Sequence, residues 1–365
     1  KRVVDAKIDR GWTAAKGYHM RDGNKRVPAA PLQKYDFLPT GALNSQSPIV
    51  DIGLLQSVPV ERGIASYGNM SMYDGPRVLW SDGTSTEIEI RAAYTETPFC
   101  FPSGVGGIAV PSADRSVARL LTCYLRSSLA KYWLILTGYS AAAERARVTV
   151  REIKSLPFVL PGHHPDPALA REVLKQADQQ LAQFEGPGTT VLAQAAYEFA
   201  RDGIDDLIFK YFGLTDHEQV LIRDMVDLVA KSLQPTSYAE LHTPLQDDIG
   251  ATTIKTYLRQ IEDSLTGWSR GRGGSGKLKA SRVDRAGDRT PLDIIHIALA
   301  GEGEDVDRAP PQADTVRGLL KVIAERIASK RAIDFFSMPN SIFVWGNDIY
   351  LVKPARMRFW TRSAA

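Results

Sequence analysis

The stretch Asp114-Arg-Ser-Val-Ala-Arg-Leu-Leu-Thr-Cys-Tyr-Leu-Arg-Ser-Ser-Leu-Ala-Lys-Tyr-Trp-Leu-Ile-Leu136 sets the architecture around it. Val117, Leu120, Leu121, Tyr124, Leu125, Leu129, Tyr132, Trp133 and Leu136 recur at three- and four-residue spacings. That period puts them on one broad apolar face and predicts a long helix over 114–136. Such a face must be buried, and the flanking sequence offers both strands and helices to bury it.

Upstream, residues 1–75 are rich in Gly, Pro, Asn and Ser and read as loops with short strands. Strands are expected at 76–80, 87–94, 99–101 and 107–110, the second with the apolar–polar alternation of a half-buried strand. Downstream, Gly138 opens a loop of mostly small residues, Tyr139-Ser-Ala-Ala-Ala-Glu-Arg-Ala-Arg147, and Pro157 and Pro161 end the segment after it. The middle is helical, at 168–184, 191–212, 215–233 and 252–265. Gly213 reads as a helix-terminating residue, and Thr215 with Glu218 as a capping box. The C-terminal part is mixed. It has a strand at 293–300, an acidic loop at 301–312, a helix at 315–329, and a hairpin of 341–345 with 348–352 across Gly346-Asn347. The fold class is therefore α+β. Four parts are expected: 1–161 with short strands and the long helix, a helical domain over 162–266, a basic flexible loop over 267–290, and a small α/β domain over 291–365.

With 365 residues, of which 44% are hydrophobic, the chain is long enough for two or three cores. No apolar run reaches the roughly 18 residues that span a bilayer, so no membrane partner is expected. The N-terminal KRVVDAKIDRGW lacks the apolar centre of a secretory signal, and its lack of an initiator Met fits a fragment or a processed chain. Cys100 and Cys123 are too few for a disulfide framework, which points to a reduced, cytoplasmic protein. Both fall on apolar elements and read as core. The net charge of +3 divides into +6 for 1–160, −9 for 161–263 and +6 for 264–365. Basic ends around an acidic middle suit contact with a polyanion.

The sequence Arg270-Gly-Arg-Gly-Gly-Ser-Gly-Lys-Leu-Lys279 contains the spacing G-x-x-x-x-G-K of a phosphate-binding loop. A working loop of that kind follows a strand, precedes a helix, and carries Ser or Thr after the Lys. Here a helix precedes it and Leu278 holds the hydroxyl position, so an NTPase is disfavoured. A mobile basic stretch that meets nucleic-acid backbone fits better. His163, His164 and Asp166 lie in a proline-flanked linker without a second ligand cluster. Asp205-Asp206 and Asp247-Asp248 read as exposed acids rather than a metal pair.

Several short motifs follow one another. Gly75-Pro-Arg-Val-Leu-Trp80, Ile90-Arg-Ala-Ala-Tyr-Thr-Glu-Thr-Pro-Phe-Cys-Phe101 and Gly106-Gly-Ile108 precede Arg126-Ser-Ser-Leu-Ala-Lys-Tyr132. After these come Thr137-Gly-Tyr-Ser140, Glu144-Arg145, Arg151-Glu-Ile-Lys-Ser-Leu-Pro-Phe-Val-Leu-Pro161 and Ile204-Asp-Asp-Leu-Ile-Phe-Lys-Tyr-Phe-Gly-Leu-Thr215. This order, over 75–232, resembles the target-recognition and C-terminal region of adenine-specific DNA methyltransferases of restriction-modification and phage-defence systems. The family's F-x-G-x-G cofactor motif and its [N/D]-P-P-[Y/F] loop for the flipped adenine do not occur in this sequence. The resemblance therefore implies a recognition half that binds double-stranded DNA. Methyl transfer and S-adenosylmethionine would belong to a missing N-terminal region or to a methyltransferase catalytic domain or subunit. No catalytic, cofactor-binding or metal-ligating residue is expected in this chain.

The DNA contacts implied are Arg77 and Arg91 in the strand motifs, and Tyr139, Ser140, Arg145 and Arg147 in the loop of small residues. Lys277, Lys279 and Arg282 join them from the basic stretch. Arginine donates two parallel bonds to guanine or neutralises phosphate, and lysine acts as a point charge on the backbone. A protein–protein scaffold that docks through the acidic middle is the alternative, and salt-dependent duplex binding separates the two.

Overall fold

The computed structural model describes residues 2–3, 5, 10–20, 27–43, 47–57, 64–83, 89–138, 147–185, 193–233, 243–283, 291–300, 318–321, 341–345 and 348–365. Its elements are helices and antiparallel sheets, an α+β architecture in two compact units, Lys1–Thr236 and Ser237–Ala365. The division that the sequence suggests at residue 161 falls inside the first unit.

The first unit is built on a sheet of β1 (Thr13–Lys16), β4 (Arg77–Ser81), β5 (Ala92–Thr95) and β6 (Val105–Ala109), in the order β1-β6-β4-β5. All its pairings are antiparallel. Two short strands, β2 (Asp36–Phe37) and β3 (Gln56–Ser57), pair separately. Every residue of β4 is buried, since the sheet is covered on both faces. The period of two survives in where the side chains go. Val78 and Trp80 join the core shared with the helices, while Leu79 joins Leu32, Leu38, Met72 and Phe101 on the other face. The strand expected at 99–101 is absent, because Cys100 makes one isolated bridge to Phe37. Of the strand expected over 87–94, residues 92–94 lie in β5 and 89–91 are outside it, while 87–88 lie outside the described residues.

Gly106 allows Trp80 to lie flat on β6. A Cβ at that position would sit 2.5 Å from the indole Cζ2. Gly106→Ala is therefore expected to cost about 1–3 kcal/mol through overpacking. A urea midpoint equal to that of the wild type would refute this packing role.

The helix expected over 114–136 is two helices, α1 (Arg115–Arg126) and α2 (Ser128–Thr137). Ser127 is extended, with ψ 156°, and its side chain accepts from the Ala130 N–H to cap α2. Helix α3 (Val150–Ser155) opens with a Thr149–Glu152 capping box. Asp166 caps α4 (Pro167–Ala182), whose Ala170, Val173, Ala177 and Leu181 are buried in the core that also holds α1. Helix α5 (Ala193–Phe212) ends at Gly213, φ 64°, and α6 (Asp216–Asp224) begins with the Thr215–Glu218 box anticipated from the sequence. A π turn (Met225–Val229) and a last helical turn (Ala230–Leu233) continue α6. The helical middle thus shares one core with the strands.

The second unit pairs helix α7 (Ala251–Gly271) with strands β7 (Lys277–Arg282), β8 (Leu292–Ala300), β9 (Ser341–Trp345) and β10 (Asp348–Pro354), in the antiparallel order β7-β8-β10-β9. Ile254, Tyr257 and Ile261, one helical face, cover Ala280, Ile295, Ile297 and Trp360. Val283, Ile294, Leu319, Tyr350 and Val352 form a second cluster. The expected hairpin is present as β9 paired with β10. The stretch read as a flexible loop over 267–290 is, where described, the last turn of α7, a turn and an edge strand. Glu262 of α7 accepts from the Ala280 N–H at 2.8 Å, so a carboxylate holds part of that edge. Of the helix expected over 315–329, residues 318–321 are described and helical; the acidic loop expected over 301–312 lies outside the described residues. No helix among the described residues is long and apolar enough to cross a membrane.

Candidate nucleic-acid interface

The motifs that run separately along the sequence meet in one buried frame. Arg77, fully buried, donates to the carbonyls of Gly75 and Thr97 and lies 4.4 Å from the Phe99 ring centroid. Burial pulls its guanidinium down to about 10. Arg126 donates to the carbonyls of Ser47 and Ala92, which ties α1 to β5. Asp205 accepts from the Ser128 N–H at 2.7 Å and from its hydroxyl at 2.6 Å, joining α5 to the start of α2. The Trp80 indole donates to the Val148 carbonyl, and the Tyr211 hydroxyl to that of Val159.

Two sequence expectations are corrected here. Arg77 is a brace between two motif strands, with no surface to offer DNA. Asp205 is buried, because the α2 start needs an acceptor, while Asp206 is exposed and pairs with Arg223.

Gly138 and Arg147, the described residues on either side of 139–146, both sit against this frame. The two ends share a corner: a Cβ on Gly138 would come within 3.4 Å of Glu152 Oε1, and Arg147 bridges Gly83 at the end of β4. The Val148 N–H donates to the Asp82 carbonyl, and the Asp82 carboxylate pairs with Lys16 at 2.8 Å. Arg147 is exposed and Arg91, just before β5, is half-buried. Tyr139, Ser140 and Arg145 lie outside the described residues. Trp133 and Leu136, which the helical period assigns to the buried face, are exposed on α2 beside this corner. The break at Ser127 turns α2 out of phase with α1, so one continuous period misplaces them.

In the second unit, Lys277 and Lys279 are exposed on the edge strand β7, both on the side of the sheet that also presents Ser281. Arg282 is a correction. Its guanidinium grips the buried Asp293 through bonds of 2.8, 3.0 and 3.1 Å, so it is a structural pair rather than a phosphate ligand. The glycine-rich turn follows a helix and precedes a strand, the reverse of the order a nucleotide phosphate loop requires.

Other chemistry is accounted for by packing. His164 Nε2 donates to the Tyr211 carbonyl, and its Nδ1 accepts from the Asp166 N–H. No group of three metal-ligating side chains occurs among the described residues. Burial pushes the Cys100 thiol up to about 11 and the Cys123 thiol to about 12, which leaves both unreactive.

No family model matches the chain, and no curated protein matches it. Among solved structures, it is similar to the Type IIL restriction-modification enzyme MmeI in complex with DNA, at 11% sequence identity and a TM-score of 0.37. The likeness covers 59% of this chain and 35% of the enzyme, so the chain spans about a third of that protein's length.

Proposed function

We propose that this chain recognises duplex DNA for an adenine-methylating restriction or phage-defence system. A catalytic region or subunit with the motifs this sequence lacks would transfer the methyl group from S-adenosylmethionine. One observation carries the reading. Motifs from Gly75 to Thr215, spread along the chain, converge on one buried frame, with Gly138 and Arg147 at one corner of it. A rigid frame flanking a sequence of small residues with two arginines, 139–147, is suited to reading base edges. Lys277 and Lys279 supply sequence-independent attraction to phosphate.

The two sites are expected to respond differently. Arg145→Ala and Arg147→Ala should each cost about 1–3 kcal/mol on the preferred sequence and relax discrimination between sequences. Lys277→Ala with Lys279→Ala should weaken all duplexes alike and flatten the salt slope by about one unit per lysine. Selection from a randomised duplex pool, followed by anisotropy titrations between about 50 and 200 mM salt, reads both effects. Duplex affinity unmoved by all four substitutions would overturn the assignment and favour docking through the acidic helices.

A further inference from the structure

The helical middle carries an amide-lined groove that neither the duplex reading nor the packing of the core uses. Gln176, Gln179, Gln180 and Gln183 fall on one face toward the end of α4, at spacings of three, one and three residues. Gly203, Asp206, Leu207 and Lys210 of α5 line the same groove, which has a volume of about 300 Å³. Polar contacts join its two walls. Lys210 pairs with Glu172 at 2.9 Å, and Glu172 also accepts from the Gln176 amide at 3.0 Å. Further along, Gln180 Nε2 donates to the Gly203 carbonyl at 3.2 Å.

Helix packing does not account for two features of this groove. Glycine inside a helix is a poor helix former, and a Cβ on Gly203 would come 3.3 Å from Gln180 Nε2, so the missing side chain gives the carboxamide its place on α5. The Gly203 carbonyl can only accept, which fixes the carboxamide nitrogen toward it and the oxygen away from it. That oxygen, Gln180 Oε1, is buried and has no hydrogen-bond partner among the described residues. A buried acceptor of this kind calls for a donor. The surroundings are acidic. Residues 161–263 carry a charge of −9, and Asp206, on the groove wall, keeps 71% of its side chain exposed although Arg223 takes one of its oxygens.

We propose that this groove docks an extended segment of a partner polypeptide, whose backbone amides pair with the glutamine carboxamides and which sets a Lys or Arg beside Asp206. Spacing and chemistry select this occupant. Carboxamides four residues apart on a helix, as at Gln176 and Gln180, rise about 6 Å. Backbone groups that point the same way on an extended chain repeat every two residues, at about 6.4–6.8 Å. A carboxamide offers an acceptor and two donors, the complement of a peptide group's N–H and carbonyl. The acidic surroundings repel a nucleic-acid strand. The lining, whose apolar side chain among the described residues is Leu207, does not suit the apolar face of a helix. The site stands apart from the duplex reading, and either can fail alone.

The test uses the whole chain as bait for a displayed library of random peptides about seven residues long, and measures the best synthetic peptide by anisotropy. Selected peptides should share a Lys or Arg at one fixed position, and Asp206→Lys should exchange that preference for Asp or Glu. Gln180→Leu should weaken the peptide roughly 5- to 100-fold. Gln183→Ala, at an exposed position just past α4, should weaken it as well and reads the site even where Gln180→Leu disturbs folding. N-methylation supplies the backbone signature: methyl groups on alternate peptide amides should abolish binding in one register and leave it within about twofold in the other. A library without a binder, affinity unchanged by both glutamine substitutions, or equal effects of the two methylation registers would each overturn the proposal. Arg145→Ala and Arg147→Ala should leave peptide affinity unchanged, which separates failure here from failure of the duplex reading.

Discussion

Asp205→Ala is expected to destabilise the first unit by about 3–5 kcal/mol, since both carboxylate oxygens are engaged inside the protein. One takes the Ser128 N–H and the other the Ser128 hydroxyl, and Ser128 itself is buried. Truncation would strand a backbone donor and a hydroxyl at the start of α2, where water does not reach them. It would also remove a negative charge from the positive end of that helix dipole. A fall in the thermal midpoint on the order of 10 °C follows for a unit of this size. Asp205→Asn keeps an acceptor for the N–H and should recover more than half of the loss. A midpoint within about 1 °C of the wild type for Asp205→Ala would mean that the carboxylate is not what holds α5 to α2.

Lys353→Met should stabilise the second unit, by roughly 2–3 kcal/mol at neutral pH. Lys353 is buried on β10, with its ammonium donating to the Tyr257 hydroxyl and lying 3.9 Å from the Tyr257 ring centroid and 5.2 Å from that of Trp360. These rings offset only part of the desolvation, which pulls the ammonium down from 10.5 to about 8. The carboxylate directly across the ladder, Asp293 on β8, is gripped at both oxygens by Arg282. Methionine fills a similar volume without the charge. Tyr257 keeps a use for its proton, because its hydroxyl donates to the Ala364 carbonyl.

The pH dependence has a definite sign. Between pH 8 and 10.5 the unfolded chain holds a proton on this lysine that the folded chain has released, so stability rises with pH across that window. Below pH 8 the lysine is charged in both states and the cost of burying it is present in full. The tyrosines act in the opposite direction: burial pushes Tyr257 and Tyr350 up to about 12, so stability falls as the pH passes the ordinary tyrosine value of 10.0. The gap between wild type and Lys353→Met should therefore be widest below pH 8 and close toward pH 10.5. Hydrogen exchange of β8–β10 peptides across this range reads it, and a gap that does not change with pH would refute the assignment.

Many local features of both units are legible one segment at a time. The Thr215–Glu218 box, the Gly213 terminus, the β9–β10 hairpin and the misfit of the glycine-rich stretch to a phosphate loop all rest on groups a few residues apart. The motif order points to a frame, yet Arg77, expected as a contact, and Asp205, expected to be exposed, are buried braces of it together with Arg126. Charge type alone does not tell a brace from a ligand.

What the sequence by itself determined is the α+β class and many of the local elements with their caps, because caps, turns and hydrophobic periods are short-range effects. Only the tertiary structure decided that the long helix breaks at Ser127, and that Arg77 and Arg282 face inward while Lys277 faces out. Each of these depends on a partner distant along the chain: Asp205 for the α2 start, the Thr97 carbonyl for Arg77, Asp293 for Arg282. Burying a charge or ending a helix is settled by whether such a partner arrives, and nothing within a few residues of the site specifies it.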